Sequence, residues 1–195
     1  MSDLVNNHVV KDYKVYVMLS PYEITPEEET AIRQQLMKDG KTILWIYLPG
    51  LSDGKANNMK NITDLTGFEV GYVNKRGLLN GIFKDGHALT ESIEGYHYGN
   101  DLDSILDSAG PLPYIDLSGD SRAIELAECA FDDSKTAMAM KDMGDWTSIY
   151  STVMNLPAGF FRNLLEFTGG HVYSDNASDI VHASDHYLSV YSMYD

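Results

Sequence analysis

Residues 13–47 read YKVYVMLSPYEITPEEETAIRQQLMKDGKTILWIY, and three consecutive elements can be predicted within them. The first run, YKVYVM, is β-branched and aromatic, which is typical of a buried strand. Thr25, Pro26 and the acids after them supply an N-cap, a proline at the first helical position and a negative first turn, so a helix begins there and ends near Gly40. The last run, TILWIY, is almost uniformly apolar, as a strand covered on both faces should be. The order strand, helix, strand predicts a βαβ unit with a right-handed crossover.

Shorter elements are predicted around this unit. They are a helix over 59–65 that ends at Thr66-Gly67, a strand over 68–73, hairpins or loops over 74–110, an extended run over 111–117, an amphipathic helix over 123–131, a hairpin of 136–140 with 147–150, a helix opened by Pro157, and extended runs over 171–173, 180–183 and 187–191. Together they predict one α/β domain over 1–195, with a mostly parallel sheet, helices on its faces and an antiparallel edge near the C-terminus.

The composition excludes several classes of function. The formal net charge is −15 and no basic stripe is visible, which argues against nucleic acid and against an anionic membrane surface as partners. The one cysteine, Cys129, cannot form a disulfide within the chain. Tyrosine is abundant at 13 residues, and it favours either half-buried strand positions or an interface or sugar-stacking surface. The compartment is left open by these observations.

Seven stretches of the sequence resemble one family of domains. They are the TPEEE helix with Gly40-Lys41-Thr42 after it, YLPG at 47–50, LTG at 65–67, GDWTS at 144–148, the Leu156-Pro157 helix with Arg162, GGHVYSD at 169–175 and DIVHA at 179–183. This pattern is similar to the glutamine-amidotransferase-like domain of bacterial β-galactosidases that is called the trimerisation domain. The resemblance spans roughly residues 10–192, and the segment 74–110 contributes little to it.

The resemblance implies a three-layer, flavodoxin-like fold of the class I glutamine amidotransferase type. It also implies a role in subunit association beside an active site that a separate barrel domain supplies. Members of this family usually have a further strand and helix before the strand predicted at Tyr13, so the chain is either a fragment of a longer protein, which we expect, or a shortened relative. The implied partners are another copy of the chain or the catalytic barrel of the parent protein.

The predicted turn after the second strand holds no nucleophile. An active amidotransferase of this fold would carry a cysteine there, next to a base that an acid orients. This chain has Tyr47-Leu48-Pro49-Gly50 instead, and Cys129 falls in the predicted helix 123–131, where a small buried thiol is expected. The sequence therefore predicts no catalytic residue.

Neither metal nor cofactor chemistry is indicated. Among the six histidines, His182 and His186 are four residues apart, but a turn is predicted between them, so no metal site is expected. No glycine-rich phosphate cradle follows a strand, which argues against a nucleotide cofactor. No pair of acids at matched strand ends with an aromatic platform can be identified as a glycosidase pair, and Asp145, next to Trp146, and Asp175 are the nearest candidates.

Three functions remain open: an accessory or oligomerisation domain, a carbohydrate- or small-molecule-binding module, and a hydrolase of unrecognised chemistry. In the binding module the loop 48–58 and the segment 144–148 are expected to meet at the carboxyl ends of the strands. Its candidate ligand-binding residues are Tyr47, Asn57, Asn58, Trp146 and His171. His171 is either a structural histidine at the start of a strand or a polar group that lines a pocket.

Overall fold

The structure is a computed structural model, and it describes residues 1–8, 12–77, 79–99, 112–174, 176 and 179–192. Its helices are α1 (Ser2–Val5), α2 (Pro26–Gln35), α3 (Met59–Thr66) and α4 (Ala158–Phe167), with a 3-10 turn at Ala88–Thr90. Its strands are β1 (Val15–Leu19), β2 (Lys41–Ile46), β3 (Gly71–Gly77), β4 (Asn80–Phe83), β5 (His97–Gly99), β6 (Leu112–Asp116), β7 (Ile124–Cys129), β8 (Asp132–Asp142), β9 (Trp146–Ser151), β10 (Ile180–Ala183) and β11 (Leu188–Tyr191). Strands thus outnumber helices in the described part of the chain. No helix in that part is long and apolar enough to cross a membrane.

The predicted βαβ unit is confirmed. Strands β1 and β2 pair in parallel, and α2 connects them. The side chain of Thr25 accepts a hydrogen bond from the N–H of Glu28, and the Glu28 carboxylate accepts one from the N–H of Thr25. This capping box satisfies two backbone donors that have no partner within the helix, which explains why the helix begins at Pro26.

The main sheet mixes parallel and antiparallel strands. Seven described strands form it in the order β1-β2-β9-β8-β7-β4-β5. Only the pairs β1–β2 and β2–β9 are parallel, and the four pairs from β9 to β5 are antiparallel. The prediction of a mostly parallel sheet is therefore wrong. The connections after β7 and β8 are only a few residues long, and a parallel pair needs a crossover of about a dozen residues or more.

One face of the sheet is covered by the end of α3. Trp45 and Tyr150 are neighbours in register across β2 and β9, so their side chains lie on this face. The ring of Phe68, just after α3, lies 6.0 Å from that of Tyr150. Trp45 donates from Nε1 to Ser148 Oγ, and Ser148 Oγ donates to the carbonyl of Thr66. These bonds tie the end of α3 to the sheet.

Helix α4 covers the opposite face. Ile46 is adjacent to Trp45 in β2, so its side chain lies on the other face of the sheet. The residues paired in register with it across the sheet, ending with Phe83 in β4, share that face. The ring of Phe160 in α4 lies 5.7 Å from that of Phe83 and is nearly parallel to it. All six residues of β2 are buried as a result, which fits its apolar sequence.

The predicted helix over 123–131 is wrong, because β7 occupies most of that range. The strand pairs antiparallel with both β4 and β8. Its register with β8 shifts at several positions, and such bulges break the alternation of side chains between the two faces. Leu126 and Ala127 are consequently both buried although they are adjacent. Two adjacent buried apolar residues between acids look like a short amphipathic helix in the sequence.

Two small sheets complete the described structure. Strands β3 and β6 form an antiparallel pair, and so do β10 and β11. The predicted runs 180–183 and 187–191 are confirmed by β10 and β11. The predicted strand over 171–173 is wrong, because these residues have no regular structure and follow the end of α4 as an irregular segment. The predicted hairpin of 136–140 with 147–150 is confirmed by β8 and β9.

Candidate functional site

The turn after β2 has an unusual backbone. Tyr47 has φ 63°, a left-handed conformation that is uncommon for a residue with a side chain. Its N–H donates to the carbonyl of Ser151, and its own carbonyl accepts from the Tyr150 hydroxyl at 2.6 Å. The chain therefore makes a sharp, hydrogen-bonded bend directly after β2, at the turn for which the sequence predicted no nucleophile.

The side chain on this bend is buried and holds its proton tightly. Tyr47 is only 6% exposed. Burial raises the pKa of its phenol to about 12, and the charge of Tyr72 acts in the same direction. A phenol that stays protonated at neutral pH and has little access to solvent is a poor nucleophile. Tyr47 is therefore not suited to act as a nucleophile on this bend.

The single thiol lies elsewhere in the sheet. Cys129 is buried at the end of β7, three strands away from β2, which is roughly 14 Å at the usual spacing of strands. Burial raises the pKa of the thiol to about 12, and the carboxylate of Asp116 adds to this shift. The thiolate is therefore negligible at neutral pH, so Cys129 is a packed core residue rather than a nucleophile.

Asn57 and Asn58 lie in the loop that follows this bend. Asn57 donates from Nδ2 to the hydroxyl of Tyr22 at 2.6 Å. Asn58 is the N-cap of α3, and its side-chain oxygen accepts from the N–H of Lys60. Both amides have structural partners, and the signal for Asn58, an Asn just before a helix, was present in the sequence.

Trp146 lies at the opposite end of the sheet from Tyr47. It pairs in parallel register with Lys41, the first residue of β2, whereas Tyr47 follows the last. A strand of this length separates them by roughly 20 Å. The prediction that the segment 144–148 meets the loop 48–58 at the carboxyl ends of the strands is therefore wrong. Trp146 opens its strand instead of ending it, and it is buried in the core.

His171 lines a cleft on the outer side of α4. The cleft has a volume of about 460 Å³, within the range of ligand sites, and lies between the helix and the described residues that follow it, from His171 to Ala183. The imidazole of His171 packs edge-to-face on the ring of Tyr173 at 4.5 Å. The cleft is lined by Ala158, Phe161, Arg162, Leu165, His171, Val172, Tyr173, Ser174, Asn176, Asp179, Val181 and Ala183.

Charged groups border this mostly apolar cleft. Ser174 donates a hydrogen bond to one carboxylate oxygen of Asp179, and the other oxygen, Oδ1, has no hydrogen-bond partner among the described residues. Arg162 Nε lies 3.4 Å from Glu166 Oε1. The polar groups of the cleft stand beside apolar lining side chains such as Phe161 and Leu165. The cleft is therefore suited to an apolar group that has polar or charged neighbours.

Half of the exposed large apolar side chains belong to the C-terminal part of the chain, and this was not predicted from the sequence. Sixteen large apolar side chains are exposed in the described part of the chain, and eight of them fall between residues 165 and 191. They are Leu165, Phe167, Tyr173, Ile180, Tyr187, Leu188, Val190 and Tyr191, each between 41% and 65% exposed. The available signal was the absence of any Lys or Arg after Arg162, combined with repeated tyrosines.

The described residues contain no cluster of metal ligands, and they include only one of the two candidate acids, Asp145. Among the residues that the structure describes, no group of three or more His, Cys, Asp or Glu side chains could hold a metal ion. Asp145 precedes β9, at the same end of the sheet as Trp146. Asp175 lies outside the described residues.

The fold is similar to part of several solved β-galactosidases. The chain aligns with the enzyme from Bacillus circulans sp. alkalophilus at TM-score 0.58 and 16% identity, covering 89% of this chain and 26% of that one. For the cold-adapted enzyme of a Rahnella species the TM-score is 0.61 at 14% identity, with 88% and 26% covered. For that of the Antarctic haloarchaeon Halorubrum lacusprofundi it is 0.56 at 13% identity, with 89% and 25% covered.

At these identities the likeness shows the fold alone. The chain spans about a quarter of the length of these three enzymes. No protein-family model matches the chain, and no curated protein sequence matches it.

Proposed function

We propose that this chain is a non-catalytic accessory domain of a β-galactosidase-like protein, in which it helps subunits or domains to associate. Within this proposal the fold is amidotransferase-like, of the flavodoxin-like three-layer type found in β-galactosidase trimerisation domains. The partner is another copy of the chain or the catalytic barrel of the parent protein.

The structural similarity carries the proposal. Nearly nine-tenths of the chain aligns with about a quarter of each of three β-galactosidases. A match that fills this chain but only a part of the enzymes supports a domain that accompanies a larger catalytic unit. Since fold alone does not fix function, the role in association needs a test of its own.

The bend at Tyr47 supports the absence of catalysis. Its backbone takes the strained conformation expected at a nucleophile turn, while its side chain is a buried phenol with a raised pKa. The predicted sugar site at the carboxyl ends of the strands is not part of the proposal, because Trp146 lies at the other end of the sheet.

Activity assays test the first half of the proposal. The purified chain is expected to hydrolyse neither nitrophenyl β-D-galactoside nor L-glutamine above the level of buffer. Turnover that disappears in Tyr47→Phe, which removes only the hydroxyl, would show that the bend is catalytic. The proposal would then be wrong.

Light scattering tests the second half. We expect a concentration-dependent mass above that of the 21.7 kDa chain, either for the chain alone or in a mixture with the barrel encoded in its reading frame. If the chain stays monomeric at high concentration and does not bind such a barrel, the proposed role in association is wrong.

A further inference from the structure

The β10–β11 hairpin is a small sheet that is largely open to solvent. Every residue of its two strands except Val181 is exposed. Among the described residues, no third strand pairs with either of its edges. A hairpin of two strands is at best marginally stable in water by itself. The hairpin would therefore gain order from any strand that extended its sheet.

The turn of the hairpin determines which backbone groups point away from it. The N–H of Ser184 donates to the carbonyl of Tyr187, so these two residues form a hydrogen-bonded pair across the turn. Hydrogen-bonded and non-hydrogen-bonded pairs alternate along an antiparallel ladder, so Leu188 and Val190 occupy non-hydrogen-bonded positions. Their N–H and C=O groups consequently point outward from β11, as a row of donors and acceptors.

Strand β11 lacks the features that usually protect an open edge. Proteins block such edges with Lys, Pro or bulges, because a free row of backbone groups recruits other strands. The strand reads Leu-Ser-Val-Tyr, and its register with β10 has no shift. Leu188 is 52% exposed and Val190 is 46% exposed. The backbone of this edge is complementary to an extended strand, which pairs through its own main chain.

The two faces of the hairpin determine the side chains that suit such a strand. One face is wholly apolar and consists of Val181, Ala183, Leu188 and Val190. The other face is mixed, since His182 and Ser189 are paired in register on it. Side chains of neighbouring strands pack against each other on each face. A strand that adds to β11 should therefore alternate apolar with polar residues.

Charge disfavours a second copy of the chain as the source of this strand. Every charged Lys, Arg, Asp or Glu residue after Arg162 is acidic. A two-fold antiparallel contact through β11 would place the turn of each copy, with Asp185, at the end of the other hairpin where Asp179 precedes β10. Like charges that face each other across an interface suppress such a pairing, and each copy carries a formal charge of −15.

We infer that the open edge of β11 binds an extended β-strand of another protein or domain, with alternating apolar and polar residues. This inference rests on the proposed association function and specifies how the partner is held. The backbone groups of Leu188 and Val190 pair with the added strand, whose apolar side chains continue the apolar face of the hairpin.

Three synthetic peptides test the mode of binding. The first has a Lys at each end and about six alternating Thr and Val residues between them, the length of an ordinary strand. The second has the same composition with Thr and Val in two blocks, and the third is the first with every backbone N–H methylated. Calorimetric titration of the full chain should show saturable one-to-one binding of the first peptide only. Since all three carry the same Lys residues, attraction to the acidic chain cannot produce this difference.

Hydrogen exchange and a matched pair of variants locate the site. The first peptide should slow exchange of the Leu188 and Val190 amides. Val190→Pro removes an outward N–H that the hairpin does not use, so the hairpin should persist while the affinity falls roughly tenfold or more. Val17→Pro is the control on β1, an edge strand of the main sheet, and it should leave the affinity unchanged. The N–H of Val17 also points outward, because the carbonyl of Lys14 pairs with β2.

Each other result of these titrations overturns the inference. Equal binding of the methylated peptide would exclude backbone pairing, and equal binding of the block peptide would exclude the alternating pattern. Equal affinities of the two variants, or protection of β1 instead of β11, would place the peptide elsewhere. Absence of binding by the first peptide would leave the edge without its expected occupant.

Light scattering separates this inference from the association function. Self-association that Val190→Pro abolishes would make a second copy the occupant, so the association function would stand while this inference failed. The same holds if the chain binds the barrel and Val190→Pro binds it equally well. If the chain neither self-associates nor binds the barrel, the association function fails, and the inference that rests on it fails too.

Discussion

Lys141 and Asp120 form an ion pair that is buried in the protein interior. Both side chains are only 3% exposed, and Lys141 Nζ also donates to the carbonyl of Gly67 at 2.6 Å. The ammonium lies 5.7 Å from the centre of the Phe68 ring. Strand β8 is thereby joined to the turn after α3 and to the loop after β6. Burying an ion pair of this kind costs free energy, but removing only one of its two partners costs more, because the remaining charge stays buried without compensation.

We predict that Lys141→Met destabilises the chain by about 3 to 5 kcal/mol, because it leaves the Asp120 carboxylate buried without its cation. Urea unfolding at neutral pH measures the effect. The matched control is Lys84→Met, whose ion pairs with Glu125 and Glu128 are partly exposed, and it should cost less than about 1 kcal/mol. Equal losses in both variants would contradict the distinction.

The cap of α2 is a case in which an element could be predicted from a few adjacent residues. Thr25, Pro26 and Glu28 specify the start of the helix locally, so the sequence was sufficient there. The same holds for Gly67, whose φ of 81° ends α3 in the left-handed conformation that glycine tolerates. Local signals of this kind do not depend on the rest of the fold.

We predict that Thr25→Ala lowers the free energy of unfolding by about 1 kcal/mol, because the N–H of Glu28 loses its acceptor. Thr25→Ser keeps the hydroxyl and should retain most of the stability. Thermal and urea unfolding of the two variants provide the comparison. If serine is as damaging as alanine, the methyl group of Thr25 matters rather than its hydroxyl.

Strand β7 could not be predicted in the same way. Its bulges lie in the pairing with β8, the next strand along the chain, and they remove the alternation that marks a strand. Its other neighbour, β4, lies about forty residues earlier in the sequence, so the buried position of β7 in the sheet depends on a distant segment. The prediction of where Trp146 lies was wrong for a related reason. Which end of a strand a residue occupies depends on the direction of its neighbour in the sheet, and the sequence around Trp146 contains no sign of the parallel pairing with β2.

A close approach of strands β4 and β5 gives a further prediction. A Cβ on Gly81 would lie 2.6 Å from a ring atom of Tyr98, whose ring stacks on Phe83. Gly81→Ala should therefore cost about 1 to 3 kcal/mol through overpacking. Gly119→Ala, with nothing within 4 Å of the added carbon, is the control. Equal urea midpoints for the two variants would refute the argument.

The whole molecule should lose stability in acid through two buried carboxylates. Burial alone would raise the pKa of Asp116 and of Asp120, but hydrogen bonds and nearby ammonium groups outweigh it and hold both pKa values below the ordinary range. A carboxyl whose folded pKa is depressed stabilises the folded state above its unfolded pKa, near 3.9, and loses that contribution as the pH falls through the folded value.

We therefore predict that the free energy of unfolding is steady above about pH 5 and falls as the pH drops below about 4. Asp116→Asn should reduce the size of this fall, since Lys135 and Ser118 then face a group that does not titrate. Urea unfolding over a series of pH values measures both curves. Parallel curves for the variant and the parent would exclude Asp116 as a source.

The place of β9 between β2 and β8 has a consequence for synthesis in the cell. One edge of β2 (residues 41–46) pairs with β1, but the other edge stays unpaired until β9 (residues 146–151) has been synthesised. About a hundred further residues therefore have to leave the ribosome first. At about 5 to 20 residues per second this takes roughly 5 to 20 seconds. During that interval the apolar β2 is open to foreign strands, and the nascent polypeptide is a natural client for a chaperone. A premature stop codon before residue 146 would leave an aggregation-prone product instead of a smaller folded one.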